Sequence, residues 1–481
     1  MNTTTVKEQS ARCRVRYRTV RSSVTLPALS EVFAGLESVS ILGGNETKRD
    51  AGRFSYWAAE PKEIFQFEKT QKEPFAKLQK VLSKYKLESI PAEDLPRGIF
   101  LGGWVGYLSY ELNQYIENLP ESTIDDLKLP LIRLCFYDKI ICYDHIEKNF
   151  RLIGLELPQD SQGPDDKLDE LKEIIRKAEK INLPPISPAD LSSIDSAKVK
   201  CNMSKEYYME AAGEIKRHIV DGDVYQVNFS QRFESRFSGP PIELFHWQNY
   251  HNPNGYAAYI DAGDFTAVST SPEMFITVCD GRISTKPIKG TRPRLQGNRP
   301  DTLRENRKNF NELQESEKEK AELNMIIDLE RNDIARICIP GSRGVTQPRT
   351  IEEYPTIYHG VATVSGKLQN KISFCEITKA LFPGGSITGA PKISAMKIID
   401  RLEPTARSIY TGAIGFIGLD GNVSLNIAIR TVIIKDETAY AQTGGGIVAD
   451  SDAECEWEET LTKATALMAG IVTVNENAKT N

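Results

Sequence analysis

Ser284-Thr285-Lys286-Pro287-Ile288-Lys289-Gly290-Thr291-Arg292-Pro293-Arg294 is the stretch around which the chain is organised. Ahead of it, the alternating segment Met274-Phe275-Ile276-Thr277-Val278 reaches Cys279-Asp280-Gly281, a turn signal. Arg282-Ile283-Ser284-Thr285 then runs back as a second strand into Pro287. Lys289 stands just past that proline and beside Gly290, where the backbone lets a small molecule come close. From these residues alone, Lys289 is either a solvated charge in a basic loop or an amine with work to do.

The 481 residues are 40% apolar, enough for a sizeable core, and the length suggests two or three domains or one large double-layered one. The net charge of −6 argues against a nucleic acid as main partner, and the basic cluster from Lys286 to Arg307 suits a small anion better than a duplex. No run of about 20 apolar residues spans a membrane, and residues 1–8 lack an apolar signal core. The eight cysteines are scattered with no C-x-x-C pair, which reads as reduced cytosolic thiols. The expectation is a cytoplasmic enzyme.

Along the chain, residues 1–20 read as frayed or an edge strand. Strands are expected at 53–59, 102–110, 132–143 and 149–156, and helices at 73–88 and 166–180. Residues 184–203 are rich in proline and serine and form a linker between an N-terminal region, 1–183, and a C-terminal region, 204–470, with a tail at 471–481. Ser204 is a good N-cap for a helix to about His218. Strands follow at 224–233, 256–260, 265–270, 360–366, 411–418, 422–427, 430–435 and 438–443, with helices at 302–330, 373–381, 391–401 and 452–470. Many strands with few βαβ alternations indicate α+β with large antiparallel sheets.

Three constellations could carry chemistry. Glu322 borders the apolar stripe Leu323, Ile326, Ile327 of one helix, and Glu456, Glu459 and Lys463 share a face of another. Such carboxylates suit Mg²⁺, which takes one or two of them and keeps waters, or they form a solvated face. Pro383-Gly384-Gly385-Ser386-Ile387-Thr388-Gly389-Ala390-Pro391-Lys392 and Thr443-Gly444-Gly445-Gly446-Ile447 each lead to a helix, as anion-binding loops or as ordinary turns, and Ser451-x-x-Glu454 is a capping-box pattern. Neither loop is a Walker A motif. Arg430, within an apolar strand, needs an anionic partner, either a ligand carboxylate or an internal one. His359 is a hydrogen-bonded core residue or an active-site one. The histidines show no metal-binding spacing, and no G-x-S-x-G or Cys–His signature indicates a hydrolase.

Taken in order, these motifs resemble the chorismate-utilising enzymes. The resemblance rests on Asp223-Val224-Tyr225-Gln226-Val227-Asn228, Ser271-Pro272-Glu273, Pro287-Ile288-Lys289-Gly290-Thr291, Ala321-Glu322 running into Asp328-Leu329-Glu330-Arg331-Asn332-Asp333, the 383–392 loop, Tyr410-Thr411-Gly412, Ile429-Arg430-Thr431, residues 445–451 and Glu456-Trp457-Glu458-Glu459-Thr460. Within the family, Pro-Ile-Lys-Gly-Thr resembles the aminodeoxychorismate-forming branch, since the anthranilate-forming branch carries alanine in place of the lysine.

The resemblance implies two large antiparallel sheets packed as a sandwich with outer helices, in one intertwined body. It implies Mg²⁺ held by Glu322, Glu459 and Glu456, with Arg430, Tyr410, Thr388, Gly389, Gly445, Gly446 and Lys463 on the substrate. Lys289 would attack ring C2 and form a covalent adduct, Glu273 would protonate the leaving C4 hydroxyl, and His359 takes the family's active-site histidine position. The product would be 4-amino-4-deoxychorismate, on the way to 4-aminobenzoate and folate. Anthranilate or isochorismate formation are the neighbouring alternatives. Nothing in the sequence resembles a glutamine amidotransferase, so ammonia is expected from a separate glutaminase subunit. Leu36-Glu37-Ser38 is similar to a tryptophan-pocket segment, which places Glu37 and Ser38 at such a pocket. Asn252-Pro253-Asn254-Gly255-Tyr256 departs from the Asn-Pro-x-Pro pattern of the same pocket.

Overall fold

The turn at Asp280-Gly281 forms as expected, with both residues at positive φ (50° and 70°), the geometry of a two-residue hairpin between strands Met274–Cys279 and Arg282–Lys286. A third strand, Ile288–Pro293, follows Pro287. The computed structural model describes residues 10–45, 52–89, 95–158, 160–188, 199–354 and 357–480.

The strands form two large sheets. The 13-stranded sheet runs from Lys200–Cys201 through Gln226–Arg236, Thr438–Ile447, Thr431–Lys435, Phe265–Ser271, Tyr256–Asp261, Ser40–Leu42, Phe54–Ala58, Lys139–Asp144, Asn149–Glu156 and Ala11–Val20 to Tyr85–Leu87, with Gly389–Ala390 also paired to Gln226–Arg236. The 10-stranded sheet runs from Ile288–Pro293 through Ile357–Lys367, Arg282–Lys286, Met274–Cys279, Val423–Ile427, Ala413–Gly418, Gly103–Leu108 and Ile132–Tyr137 to Glu63–Phe67, with Gly344–Glu353 also paired to Ile357–Lys367. The strand pairs are antiparallel except Ala11–Cys13 against Tyr85–Leu87. Strands from both sides of the 184–203 segment lie in both sheets.

Apolar faces of the two sheets meet in one core, where Tyr56 packs edge-on against Phe100 and Phe416, and Tyr107 against Phe265. Helices Leu26–Ala34, Pro164–Ala178, Pro241–His251 and Ala453–Thr480 cover the outer face of the larger sheet. Among the described residues no helix is long and apolar enough to cross a membrane.

Several sequence expectations are corrected. The 73–88 helix ends at Leu82, and Tyr85–Leu87 is a strand instead, with Tyr85 stacked 4.1 Å from Phe136. Residues 132–143 form two strands in different sheets. The corner between them is Asp138, which is buried and paired at 2.7 Å with the equally buried Lys167. The 302–330 helix is two helices, Pro300–Glu315 and Glu317–Ala335. Ser316 ends the first with ψ 108° and caps the second by accepting from Glu319 N at 3.3 Å. Strand Gly344–Glu353 lacks an apolar alternation and escaped sequence reading. The last helix continues through residues 471–480, with Ile471 and Val474 buried.

Candidate active site

Four chain crossings and ends converge on one cavity of about 490 Å³. Phe265–Ser271 belongs to the larger sheet and Met274–Cys279 to the smaller, so Pro272 and Glu273 sit where the chain changes sheets. Val423–Ile427 and Thr431–Lys435 repeat this in the opposite direction and put Arg430 at the crossing, with φ at +51°. A non-glycine residue in the left-handed region is strained, and such strain is held where surrounding structure fixes it. The smaller sheet contributes Lys289, and the larger one contributes Gly445 and Gly446, opposite Phe229 and Asn228.

Lys289 owes its aim to a bulge. Pairing of its strand with Ile357–Lys367 shifts register between Ile288 and Thr291. Gly290 there has φ +87°, and a β-carbon on it would strike Leu313 at 2.6 Å and Glu319 Oε2 at 2.8 Å. Gly360 is needed on the other side, because a β-carbon would lie 2.6 Å from the Lys289 carbonyl. Burial lowers the pKa of Lys289 below the ordinary lysine value, against the opposing pull of Glu322 and Glu273. Glu273 is only 4% exposed and accepts from Ile288 N at 3.4 Å; burial raises its pKa, while Ser386, Lys289 and Ile288 hold the rise back. An amine made less basic thus faces a carboxyl made less acidic.

His359 lines the same cavity, its Nδ1 2.9 Å from the Thr291 hydroxyl and its Nε2 without a hydrogen-bond partner among the described residues. Burial, and then Arg430, pull its pKa down to about 4, so the ring is neutral at physiological pH. Arg430 donates to the Lys463 carbonyl at 3.3 Å, and among the described residues no carboxylate pairs with it. The internal-bridge alternative for Arg430 therefore fails, and its charge is available to a ligand. Tyr410, Gly445, Gly446 and Lys463 also line the cavity, and Lys463 pairs with Glu459 at 2.6 Å.

The acidic wall comes from helices Glu317–Ala335 and Ala453–Thr480, which bring Glu322, Glu456 and Glu459 to the cavity. Burial, and then neighbouring carboxylates, raise Glu322 and Glu456, whereas for Glu459 burial is overcome by Lys463, Lys289 and Lys318 together and the pKa is lowered. Among the described residues no three candidate ligands close on one point. The donor set nevertheless fits a hard divalent cation, since crowded carboxylates that disfavour one another's charge are relieved by a cation that keeps most of its waters. Glu322, Glu456 and Glu459 are the residues that would hold Mg²⁺.

Some expected site residues lie elsewhere. Thr388 is fully buried with its hydroxyl turned back to the Gly384 carbonyl at 2.9 Å. Gly389 pairs with Val227, and a β-carbon there would meet Gln226 O at 2.1 Å. Both shape the wall without lining the cavity. Gly445 and Gly446 are strand residues instead of a helix entrance. Ser451 does not cap the last helix: Asp452 does, accepting from Cys455 N at 3.0 Å. Ser451 instead donates to Glu456 at 2.7 Å and orients it. Glu37 is exposed and Ser38 accepts from Arg133 at 3.4 Å; neither lines this cavity or the second one, of about 310 Å³, beside Gly43, Arg53, Tyr256 and Phe416. The described residues that line that second cavity include no acid–base cluster. At Gly255, where the sequence departs from Asn-Pro-x-Pro, the carbonyl oxygen lies 2.7 Å from where a β-carbon on Gly52 would stand, so Gly52 is held to glycine there.

Sequence reading missed Glu319, Asn228 and Ser386 in the cavity lining, and Gln226 just behind it. Glu319 precedes Glu322 by one helical turn, a spacing that could have revealed it. Gln226 is fully buried, and neither amide atom has a hydrogen-bond partner among the described residues. A β-carbon on Gly446 would lie 2.5 Å from Gln226 Nε2 and 3.5 Å from Lys289 Nζ. Gly446→Ala is therefore expected to lower kcat/KM about a hundredfold by displacing the buried Gln226 amide and filling the space beside the amine, with an unchanged circular dichroism spectrum. Steady-state kinetics on the folded variant checks this, and near-normal kinetics would refute the packing argument.

The model of the chorismate binding enzyme family matches residues 45–469. The chain is 36% identical over 380 residues to aminodeoxychorismate synthase component 1 of Bacillus subtilis, covering 79% of each protein. It is 35% identical over 412 residues to anthranilate synthase component 1 of Aquifex aeolicus, covering 84% of this chain and 81% of that one. The crystal structure of anthranilate synthase component I from Streptococcus pneumoniae superposes with a TM-score of 0.74 at 29% identity, covering 88% of this chain and 93% of that one.

Proposed function

This chain belongs to the chorismate-binding enzyme family, and from that premise we propose that it is the synthase subunit of an aminodeoxychorismate synthase. Identity alone does not favour this over anthranilate synthesis, because relatives of both kinds match about equally well. The observation that carries the choice is Lys289, an amine of lowered basicity in the cavity, at the position where the anthranilate-forming branch resembling this sequence has alanine.

In this reading the neutral Lys289 amine attacks ring C2 of chorismate. The ring double bonds shift and the C4–O bond breaks, the hydroxyl leaving as water with a proton from Glu273. Ammonia then adds at C4, the C2–N bond to Lys289 breaks, and the product is 4-amino-4-deoxychorismate with its enolpyruvyl group retained. Arg430 and Tyr410 hold a carboxylate of the dianion, and neutral His359 offers a hydrogen bond without adding charge. Mg²⁺ on the acidic wall would supply a counter-charge for the other carboxylate. Ammonia arrives from a separate glutaminase subunit.

Product identification tests the assignment. The purified chain is incubated with chorismate, Mg²⁺ and ammonium salt near pH 8.5, and products are separated with mass detection. A pyruvate-retaining aminated product is expected. Anthranilate would overturn the reading in favour of the sister activity, and isochorismate would make water the nucleophile.

A further inference from the structure

Arg407 lies behind the cavity, 2% exposed, and does not line it, yet its guanidinium hydrogens are spent on the cavity's walls. Nε and Nη2 donate to the Glu403 carboxylate at 2.8 and 2.6 Å. Nη2 also reaches the Asn228 carbonyl at 2.7 Å, and Nη1 reaches the Ile387 carbonyl at 3.0 Å and Thr411 Oγ1 at 3.4 Å. The cation lies 4.7 Å from the ring centre of Tyr110 and 5.9 Å from that of Tyr410. Asn228, Ile387 and Tyr410 all line the cavity, and each comes from a different piece of chain: strand Gln226–Arg236, the 3-10 turn Gly385–Ile387, and the turn ahead of strand Ala413–Gly418.

The hub is anchored on two further sides. Glu403 accepts from both the backbone N (2.9 Å) and the hydroxyl (2.7 Å) of Ser230. Glu111, from the N-terminal region, accepts from the backbone N–H groups of Arg407 and Ser408 at 2.7 and 2.9 Å. Those bonds hold a turn in which Ser408 and Thr411 both adopt left-handed φ, 56° and 58°. A flat fork with five donors holds a bidentate carboxylate, two carbonyls and a hydroxyl at once, whereas a lysine ammonium has three donors and no bidentate fork. Among the described residues, no hydrogen bond or ion pair joins Glu322, Glu456 or Glu459 of the acidic wall to this hub; their partners are Lys318, Ser451 and Lys463.

We propose that Arg407 is a positioning residue that sets the spacing of Asn228, Ile387 and Tyr410 around the organic anion, independently of the wall that would hold the metal. The role assigned to the anion rests on the chorismate reading; the clamp itself does not.

The test uses full-length Arg407→Lys and, as a milder variant that keeps the shape of the site, Glu403→Gln. Three quantities are measured: steady-state constants for chorismate, Mg²⁺ affinity by calorimetry, and amide hydrogen exchange. In Arg407→Lys we expect KM for chorismate to rise about tenfold or more with Mg²⁺ affinity within twofold of the parent. Exchange should quicken in segments 226–230, 385–390 and 407–411, while strands Lys139–Asp144 and Asn149–Glu156 keep their protection. Glu403→Gln should show the same pattern at about threefold in KM. An unchanged KM in folded Arg407→Lys overturns the proposal, as does a parallel loss of Mg²⁺ affinity, which would mark a general structural defect. If Arg407→Lys does not fold, an unchanged KM in Glu403→Gln overturns it. A parent chain that neither binds nor turns over chorismate defeats the functional reading instead, and unaltered exchange in the three segments would then still refute the clamp.

Discussion

Lys289→Ala is expected to lower kcat for chorismate amination by about 10³–10⁴-fold or more, while circular dichroism and melting temperature stay close to the parent. The loss is large because the amine is the proposed nucleophile, and an ordinary lysine is neutral in only about one molecule in a thousand near pH 7. Burial beside Gly290 and Gly360 is what makes it reactive. More than a tenth of the parent rate in the alanine variant would remove Lys289 from the mechanism.

The pH profile gives a second view of the same pair. The productive form has neutral Lys289 with protonated Glu273, and it carries the same number of protons as ammonium with carboxylate. The population of that one-proton state peaks between the two pKa values. Glu273 is raised above 4.5 and Lys289 is lowered below 10.5. The kcat/KM profile should therefore be a bell narrower than that window on both sides. In Glu273→Gln only the amine still titrates, so the alkaline limb should change from falling to rising. A falling alkaline limb in that variant would contradict the pairing.

The second large effect concerns the acidic wall. Chelator is expected to abolish turnover and added Mg²⁺ to restore it. Glu322→Gln should weaken Mg²⁺ binding about a hundredfold or more, read calorimetrically as well as by activity. The same substitution should raise the melting temperature in chelator. Burial and the neighbouring Glu319 and Glu456 disfavour the charged form of Glu322, so its ionisation costs stability as pH rises above its unfolded value. Full activity in chelator would refute the metal role, and a lower melting temperature would refute the crowding argument.

Much of this site was legible because its residues sit in local patterns. The Asp280-Gly281 hairpin, the proline and glycine around Lys289, and Glu322 and Glu459 on amphipathic helices are all readable within a few residues. What was not legible depends on partners far away in sequence. Thr388 looked like a ligand-binding hydroxyl until its own loop claimed it. Ser451 matched a capping pattern, but Asp452 lies one residue nearer the helix and takes the free amide, leaving Ser451 for Glu456. Residues 132–143 read as one apolar strand because a change of sheet costs only one residue, Asp138, whose partner Lys167 lies 29 positions on. Arg407 gave no sequence signal, since its partners are mostly backbone carbonyls and a carboxylate that any charged helix end could offer.

The interleaved sheets also set the order in which the molecule can be made. Strand Ser40–Leu42 pairs with Tyr256–Asp261, and Gly103–Leu108 with Ala413–Gly418, some 200 to 300 residues later. A chain emerging from the ribosome therefore carries open strand edges until most of it has been synthesised, because the segments that close them do not yet exist. Contacts of such long sequence separation place this protein among slow folders. Before the last strands arrive, those edges are open templates for pairing with one another or with a neighbouring chain.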